Sequence, residues 1–186
     1  CVQSVITQSY RNIEYIVIDG GSTDGTPGLL NKYRENINLL ISGPDGGIYD
    51  AMNKGIAKAT GDVIGMLNAD DYFAGDDVLF AVAAAFADLN AAVVYGDIDY
   101  VDGTGKTIRK WRAGMYNAGS FKWGWMPPHP SFYARAHLFK QYGAYNTDYG
   151  TAADYELMLR FIYFNKASTY YIHRVMVKMQ TGGASN

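Results

Sequence analysis

The sequence has little of what marks several common classes of protein. Its single cysteine, Cys1, among 186 residues excludes an intramolecular disulfide and a cysteine-based zinc site, which fits a reducing compartment. The most apolar run, residues 78–87, is too short to cross a bilayer. No basic segment followed by an apolar one stands at the start. We therefore predict no transmembrane helix and no signal peptide within these residues.

Charge is also scarce, and two nucleotide-binding motifs are missing. Only 18% of the residues are charged and the formal net charge is -2, so there is no basic stripe for nucleic acid. No G-x-G-x-x-G follows a predicted strand, which leaves a nicotinamide dehydrogenase without support. The GTGKT segment at 103–107 has Tyr100 where a Walker motif needs glycine, so we reject a P-loop.

The composition that is present is typical of one folded domain, because 48% of the residues are apolar and the length allows a sizeable core. In the first half, short β-branched runs alternate with helical patterns, which indicates an α/β fold with a mostly parallel central sheet flanked by helices. The predicted strands are 14–18, 38–42, 62–67 and 92–98, and the predicted helices are 26–34, 48–60 and 76–89.

The second half is less regular and predicts a smaller mixed region. We expect one domain, with a first half at 1–98 and a second half at 99–186. Residues 114–130, rich in glycine, tryptophan and proline, have no clear period and are interpreted in part as a lid. The chain starts without methionine and ends in GGASN, so we expect the protein to continue beyond both ends. The predicted elements are a hairpin at 100–110, helices at 135–142 and 154–164, and a strand at 169–178.

Acidic residues follow several predicted strands. Asp19, Asp45 and Asp70 each lie in a loop after a strand, and the carboxyl ends of parallel strands meet at one edge of a sheet. We therefore expect these loops to converge on one ligand-binding rim. Asp70 and Asp71 together suit a hard divalent ion that also binds diphosphate oxygens. A simple polar turn is the alternative for this pair.

Asp154 opens a helix that is apolar nearly all round. A carboxylate fixed on a buried helix would make a well-positioned general base, although the same residue would also serve as a helix cap. His129, in the WMPPHP segment at 125–130, either lines an acceptor pocket or is structural. Trp123 and Trp125 are candidates for stacking on a sugar ring.

These motifs, in this order, resemble the inverting family 2 glycosyltransferases of GT-A fold. The resemblance covers nearly the whole chain and implies transfer of a sugar from a nucleotide-sugar donor to an acceptor hydroxyl. It also implies a first strand and turn that would precede Cys1. The segments that carry it are IVIDGGSTDGT at 16–26, GIYDAMNKG at 47–55, NADD at 68–71 and ADYEL at 153–157.

The resemblance assigns roles to individual residues. Family members often carry a second aspartate where this chain has Gly20, and an acid where it has Asn68, so these positions depart from the pattern. The implied general base is Asp154, and the implied ligands of Mn²⁺ or Mg²⁺ are Asp70 and Asp71. The residues implied to bind the donor are Asp19, Gly21, Ser22, Asp45, Asn53, Lys54, Asn68 and Asp70.

The family also implies partners. UDP is the favoured nucleotide, with GDP and dTDP open, and the acceptor is a polysaccharide or a lipid-linked saccharide of a bacterial cell envelope. Transfer of a single sugar is expected, because the Gln-x-x-Arg-Trp motif of processive synthases is absent from these residues. We expect a cytoplasmic protein that can associate peripherally with the inner face of the cell membrane.

Two alternatives remain open at this point. A nucleotidyltransferase that makes sugar nucleotides would share the α/β sheet and the divalent ion, but it leaves Asp154 without an obvious role. A non-catalytic domain that binds a nucleotide or a sugar is the other alternative, and Asn68 is the feature that favours it.

Overall fold

The computed structural model describes residues 1–88 and 90–181. Its helices are α1 (Val2–Ile6), α2 (Thr26–Lys32), α3 (Ile48–Lys58), α4 (Val78–Asp88), α5 (Ala136–Tyr142) and α6 (Ala153–Met158). Its strands are β1 (Ile16–Asp19), β2 (Leu39–Ser42), β3 (Val63–Gly65), β4 (Tyr72–Phe73), β5 (Val93–Val101), β6 (Thr107–Trp111), β7 (Tyr133–Arg135) and β8 (Thr169–Gln180).

The strands form two sheets. β1 and β2 pair in parallel, and a larger sheet has the order β3-β7-β5-β8-β4, with β6 paired to β5. The predicted α/β class is confirmed, but the larger sheet is mixed rather than mostly parallel. Within the described residues, β5 and β8 are its one parallel pair. The difference arises because β7, which was not predicted, lies between β3 and β5 and is antiparallel to both.

Most predicted elements are present with shifted ends. β4 and β7 were missed because two- and three-residue strands are too short to show a hydrophobic period. The predicted helix at 154–164 is α6 followed by a π-helical turn at Leu159–Phe164. The predicted helix end at Leu89 and the GGASN segment lie outside the described residues.

The hydrophobic core consists of two clusters that share β5. Val93 and Tyr95 of β5 belong to one cluster, whereas Val94 and Ile98 belong to the other, because successive side chains of a strand point to opposite faces. The first cluster also buries Leu157 of α6 completely, and full burial of one such side chain stabilises a fold by about 1.5–3 kcal/mol. β5 also crosses the expected boundary between residues 98 and 99.

Where the structure describes the chain, none of its helices has the length and apolar character needed to cross a membrane.

Candidate functional site

The first part of the candidate site lies at the ends of β1 and β2. Asp19, the last residue of β1, is only 7% exposed. The Ser42 hydroxyl donates to Asp19 Oδ2 over 2.5 Å, and the Ser22 N–H donates to Asp19 Oδ1 over 3.2 Å. Hydrogen bonds from Ser22 and then Ser42 lower the pKa of Asp19, because they stabilise its charged form. Asp19 is therefore a fixed and ionised carboxylate.

Gly20 brings the Asp45 loop against the Asp19 loop. A Cβ atom at Gly20 would lie 2.6 Å from Asp45 Oδ2, so the backbone approaches this carboxylate as only glycine allows. The other oxygen, Asp45 Oδ1, accepts the Gly47 N–H over 2.9 Å. Gly21 has a φ of 87°, in the left-handed region that favours glycine. Two of the three acid-bearing loops therefore lie side by side.

Helix α3 connects this loop pair to the second half of the chain. Lys54 Nζ donates to the Pro44 carbonyl over 3.0 Å and lies 3.1 Å from Asp50 Oδ2. Asn53 Nδ2 donates to the Tyr145 carbonyl over 2.8 Å, and Asn53 Oδ1 accepts the Tyr145 N–H over 2.9 Å. The amide of Asn53, predicted to bind the donor, is therefore engaged with the Tyr145 backbone.

The loop after β3 carries the predicted metal ligands. Asp70 is exposed, whereas Asp71 is fully buried. Asn68 Nδ2 donates to Asp71 Oδ2 over 3.3 Å, while Asp71 Oδ1 has no hydrogen-bond partner. Burial, followed by the charge of Asp70, raises the pKa of Asp71 to about 7. Asp70 is thus the carboxylate of this loop that is open to an ion.

The donor groups around Asp70 fit an ion that the protein holds by few ligands. In residues 1–88 and 90–181, no group of three or more histidine, cysteine, aspartate or glutamate side chains is arranged to hold a metal. Mg²⁺ is often bound by one or two carboxylates, with waters and substrate phosphates completing its shell. An exposed Asp70 matches that arrangement and does not match a closed protein cage.

Asp154, the second residue of α6, lies near enough to Tyr49, His129 and Tyr145 for its charge to affect their pKa values, and these four side chains are called the Asp154 pocket below. The Tyr155 N–H donates to Asp154 Oδ1 over 2.7 Å, which fixes the carboxylate. The rings of Tyr49 and Tyr145 have centroids 5.3 Å apart, and His129 Nε2 lies 2.8 Å from the Tyr145 hydroxyl in a hydrogen bond. Tyr49, His129 and Tyr145 come from three separate parts of the sequence.

The ionisation of these neighbours follows from burial. Burial, assisted by the Asp154 charge, raises the pKa of Tyr49 to about 12 and raises that of Tyr145 above its usual range. Burial lowers the pKa of His129, and the Asp154 charge opposes this effect only in part. Near neutral pH the three side chains are uncharged. The pocket can therefore present the Asp154 carboxylate as a proton acceptor.

A clamp around residues 142–144, formed by Arg160, was not predicted. The Arg160 guanidinium forms two 2.8 Å hydrogen bonds with Glu156. It also donates to the carbonyls of Tyr142, Gly143 and Ala144. Glu156 and Arg160 are four residues apart within the predicted helix at 154–164. This spacing, which favours an ion pair, is the one indication of the clamp in the sequence.

The two tryptophans proposed to stack on a sugar ring, Trp123 and Trp125, differ in how much of the indole is exposed. Trp125 Nε1 donates to the Ala113 carbonyl over 2.7 Å, and its ring packs on Tyr95 and Phe121. Trp123 is 91% exposed. Of this pair, Trp123 has the ring that is more open to a ligand, because Trp125 is half-buried.

Comparison with known proteins identifies relatives. The sequence model of glycosyl transferase family 2 matches residues 1–161. A glycosyltransferase of Mycobacterium tuberculosis is 37% identical over 169 residues, covering 86% of this chain and 61% of that protein. A PGL/p-HBAD biosynthesis glycosyltransferase of Mycobacterium bovis is 31% identical, covering 100% of this chain and 73% of that protein. The chain thus spans 61% of the length of the tuberculosis relative.

Solved structures share the fold at lower identity. Staphylococcus aureus TarS in complex with UDP superposes with a TM-score of 0.75 at 20% identity, covering 97% of this chain and 55% of that one. A mannosyltransferase of Pyrobaculum calidifontis, in complex with GDP-Man and Mn²⁺, has a TM-score of 0.68 at 17% identity, covering 96% and 51%. These neighbours have the GT-A fold, which confirms the predicted fold. The family match extends over most of the chain, which therefore belongs to glycosyl transferase family 2.

Proposed function

We propose that the chain is the catalytic part of an inverting glycosyltransferase that moves one sugar from a nucleotide sugar to an acceptor hydroxyl. The observation that carries the proposal is the Asp154 carboxylate, fixed by the Tyr155 N–H among uncharged Tyr49, His129 and Tyr145. A carboxylate in such a pocket is suited to general-base catalysis. The alternative role of Asp154 as a helix cap does not explain why Tyr49, His129 and Tyr145 are placed near it.

The reaction is a single displacement at the anomeric carbon. The acceptor oxygen forms a bond to that carbon while Asp154 takes the hydroxyl proton. The bond between the carbon and the diphosphate oxygen breaks, and its electron pair leaves with the nucleoside diphosphate. Because the nucleophile enters opposite the leaving group, the anomeric configuration is inverted. When bound, Mn²⁺ or Mg²⁺ held by Asp70 supplies positive charge to the departing diphosphate.

The donor site is proposed at the loops of β1 and β2. Asp19 is assigned to the nucleotide base, with the Gly21–Ser22 turn, Asp45 and Lys54 around the donor. Asn68 and Asp70 are assigned to its diphosphate end, and the burial of Asp71 favours a supporting role beneath Asp70. TarS was crystallised with UDP and with UDP-GlcNAc, which supports UDP, while the GDP-Man complex of the mannosyltransferase keeps GDP open.

The acceptor is proposed to be a polysaccharide or a lipid-linked saccharide of the cell envelope. The relative named for PGL/p-HBAD biosynthesis supports a biosynthetic role. The enzyme would then act in the cytoplasm, with peripheral association at the inner face of the membrane where such an acceptor is anchored.

The test compares wild type with Asp154→Asn in the full-length protein. Release of nucleoside diphosphate from UDP- and GDP-sugars should fall by about 10²–10⁴-fold, which is the contribution of a positioned general base. The Kd of UDP with Mn²⁺, measured by calorimetry, should stay within about twofold because binding does not use the base. Asp148→Asn, an exposed carboxylate on the preceding turn, is the matched control and should retain activity.

Other outcomes would redirect the assignment. Full activity of Asp154→Asn contradicts the proposed base. Release of pyrophosphate from UTP or GTP and a sugar 1-phosphate, in a separate assay, identifies a nucleotidyltransferase. A folded wild-type protein that binds no nucleotide is a non-catalytic domain.

A further inference from the structure

Trp123 is exposed on a short and well-defined turn. The indole is 91% exposed, more than any other large apolar side chain in the part of the chain that the structure describes. It ends a single 3₁₀ turn, Ser120–Trp123, bounded by Gly119 with a φ of 95° and by Gly124 with a φ of 76°. Both glycines are in the left-handed region, which glycine adopts without steric cost.

The base of the turn is held against the helix that carries Asp154. Phe121 is 4% exposed, and its carbonyl accepts the Tyr155 hydroxyl over 2.9 Å. The Phe121 and Tyr155 rings pack edge to face with centroids 5.7 Å apart. Tyr155 directly follows Asp154 in α6. Trp123 is therefore two residues from Phe121, which is bonded to Tyr155. Tyr155 is the residue next to the proposed base, Asp154.

The segment of the chain that carries Trp123 is nearly uncharged. Asn117, Ser120 and the two glycines surround it in sequence, and Lys122 is the one charged residue between positions 113 and 131. Binding to an anionic membrane surface draws on clusters of lysine and arginine, which this segment lacks. An exposed indole among uncharged hydrogen-bonding groups is suited to a carbohydrate, whose ring has one apolar C–H face and polar edges.

We propose that Trp123 is the platform on which a pyranose ring of the acceptor stacks, so that the acceptor is recognised through a sugar and not through a lipid. This inference rests on the proposed glycosyltransferase function. The hydrogen bond between the Phe121 carbonyl and Tyr155 links the turn that carries Trp123 to α6. In this proposal, the acceptor hydroxyl is presented to Asp154 from the ring that Trp123 holds. Trp123 is then a specificity-determining residue for the acceptor.

The experiment uses the full-length protein with UDP- and GDP-sugars as donors and methyl glycosides of common hexoses as acceptors. Saturation-transfer NMR first selects the glycosides that bind, and transfer to them is then measured. Trp123→Ala should raise the KM of the glycoside about tenfold, while kcat changes less than about twofold, because a stacking ring contributes to binding more than to the chemical step. Trp123→Phe should restore most of the affinity.

Phe80→Ala is the matched control, because Phe80 is an exposed aromatic residue, 59% exposed, on α4 in the part of the fold around the other hydrophobic cluster. Its KM should equal that of wild type. An unchanged KM in Trp123→Ala, or no saturation transfer to any glycoside, overturns the assignment. So does loss of binding to anionic phospholipid vesicles in Trp123→Ala with the glycoside KM intact. Release of nucleoside diphosphate from the donor, with and without glycoside, reports separately on the proposed function, and its absence in wild type under both conditions overturns both.

Discussion

Asn53 and Tyr145 are joined by two hydrogen bonds, in which the Asn53 amide donates to the Tyr145 carbonyl and accepts from its N–H. The two residues are 92 positions apart in the chain. Tyr145 in turn contacts His129 in the pocket of Asp154. The pair therefore connects the helix beside the proposed donor site to the proposed base.

Replacement of Asn53 by alanine should impair catalysis more than nucleotide binding. Loss of both bonds lets the Tyr145 segment shift, and a displacement of about 1 Å near the reacting atoms can lower kcat by about 10²-fold. If Asn53 instead contacts the donor, the Kd of UDP should rise while kcat changes little. Calorimetry and steady-state kinetics distinguish the two, with Asn31→Ala on the exposed side of α2 as the control.

The Arg160 clamp should matter more for stability than an ion pair of similar geometry at the surface. Arg160→Met leaves Glu156 and three carbonyls without their donor, and we expect unfolding free energy to fall by about 2–4 kcal/mol. Arg174→Met removes the exposed bidentate pair with Asp77 and should cost less than about 1 kcal/mol. Urea unfolding of both variants measures the difference. Equal losses would contradict this account of the clamp.

Asp71 should make stability fall as pH rises. The folded protein keeps the proton up to a pKa of about 7, whereas the unfolded chain releases it near the ordinary value of 3.8. Between these values the folded state binds more protons, so the ionisation of Asp71 opposes folding as pH increases.

Asp71→Asn removes this ionisation and keeps an oxygen for Asn68. Relative to wild type, the variant should gain stability from pH 5 to pH 8. Unfolding at each pH in the presence of EDTA measures the gain, and a constant difference between the two proteins would show that Asp71 is already ionised at low pH.

Gly20 should tolerate no side chain without displacement of Asp45. In Gly20→Ala, the added Cβ would lie 2.6 Å from Asp45 Oδ2, so the carboxylate must rotate away from the Gly47 N–H. If Asp45 contacts the donor, the Kd of UDP should rise by about tenfold, which corresponds to about 1.4 kcal/mol. The matched variant Gly28→Ala is on α2, where a Cβ meets nothing within 4 Å. Calorimetric titration of UDP compares them.

The strands and helices of the first half were largely predictable because their signals are local, whereas the division of its strands between two sheets was not. Asp19 and Asp45 lie at the ends of two strands whose apolar runs are visible in the sequence. Because the two strands are parallel, the loops that carry Asp19 and Asp45 lie at the same edge of the sheet. The pocket of Asp154 was not predictable in the same way. Tyr49, His129 and Tyr145 meet through tertiary packing, and no short-range pattern marks Tyr145 as their partner. β7 was missed for the same reason, since its pairing to β3 and β5 is not encoded within its three residues.

The shared strand β5 has a consequence for how the protein unfolds. Val93 and Tyr95 of β5 are packed in one hydrophobic cluster, and Val94 and Ile98 of the same strand are packed in the other. Loss of order in either cluster therefore removes packing from the strand on which the other cluster depends. We therefore expect both clusters to melt in a single cooperative transition. A substitution that weakens the packing of Val94 or Ile98 would then lower the population of intact Asp154 pockets by the same factor.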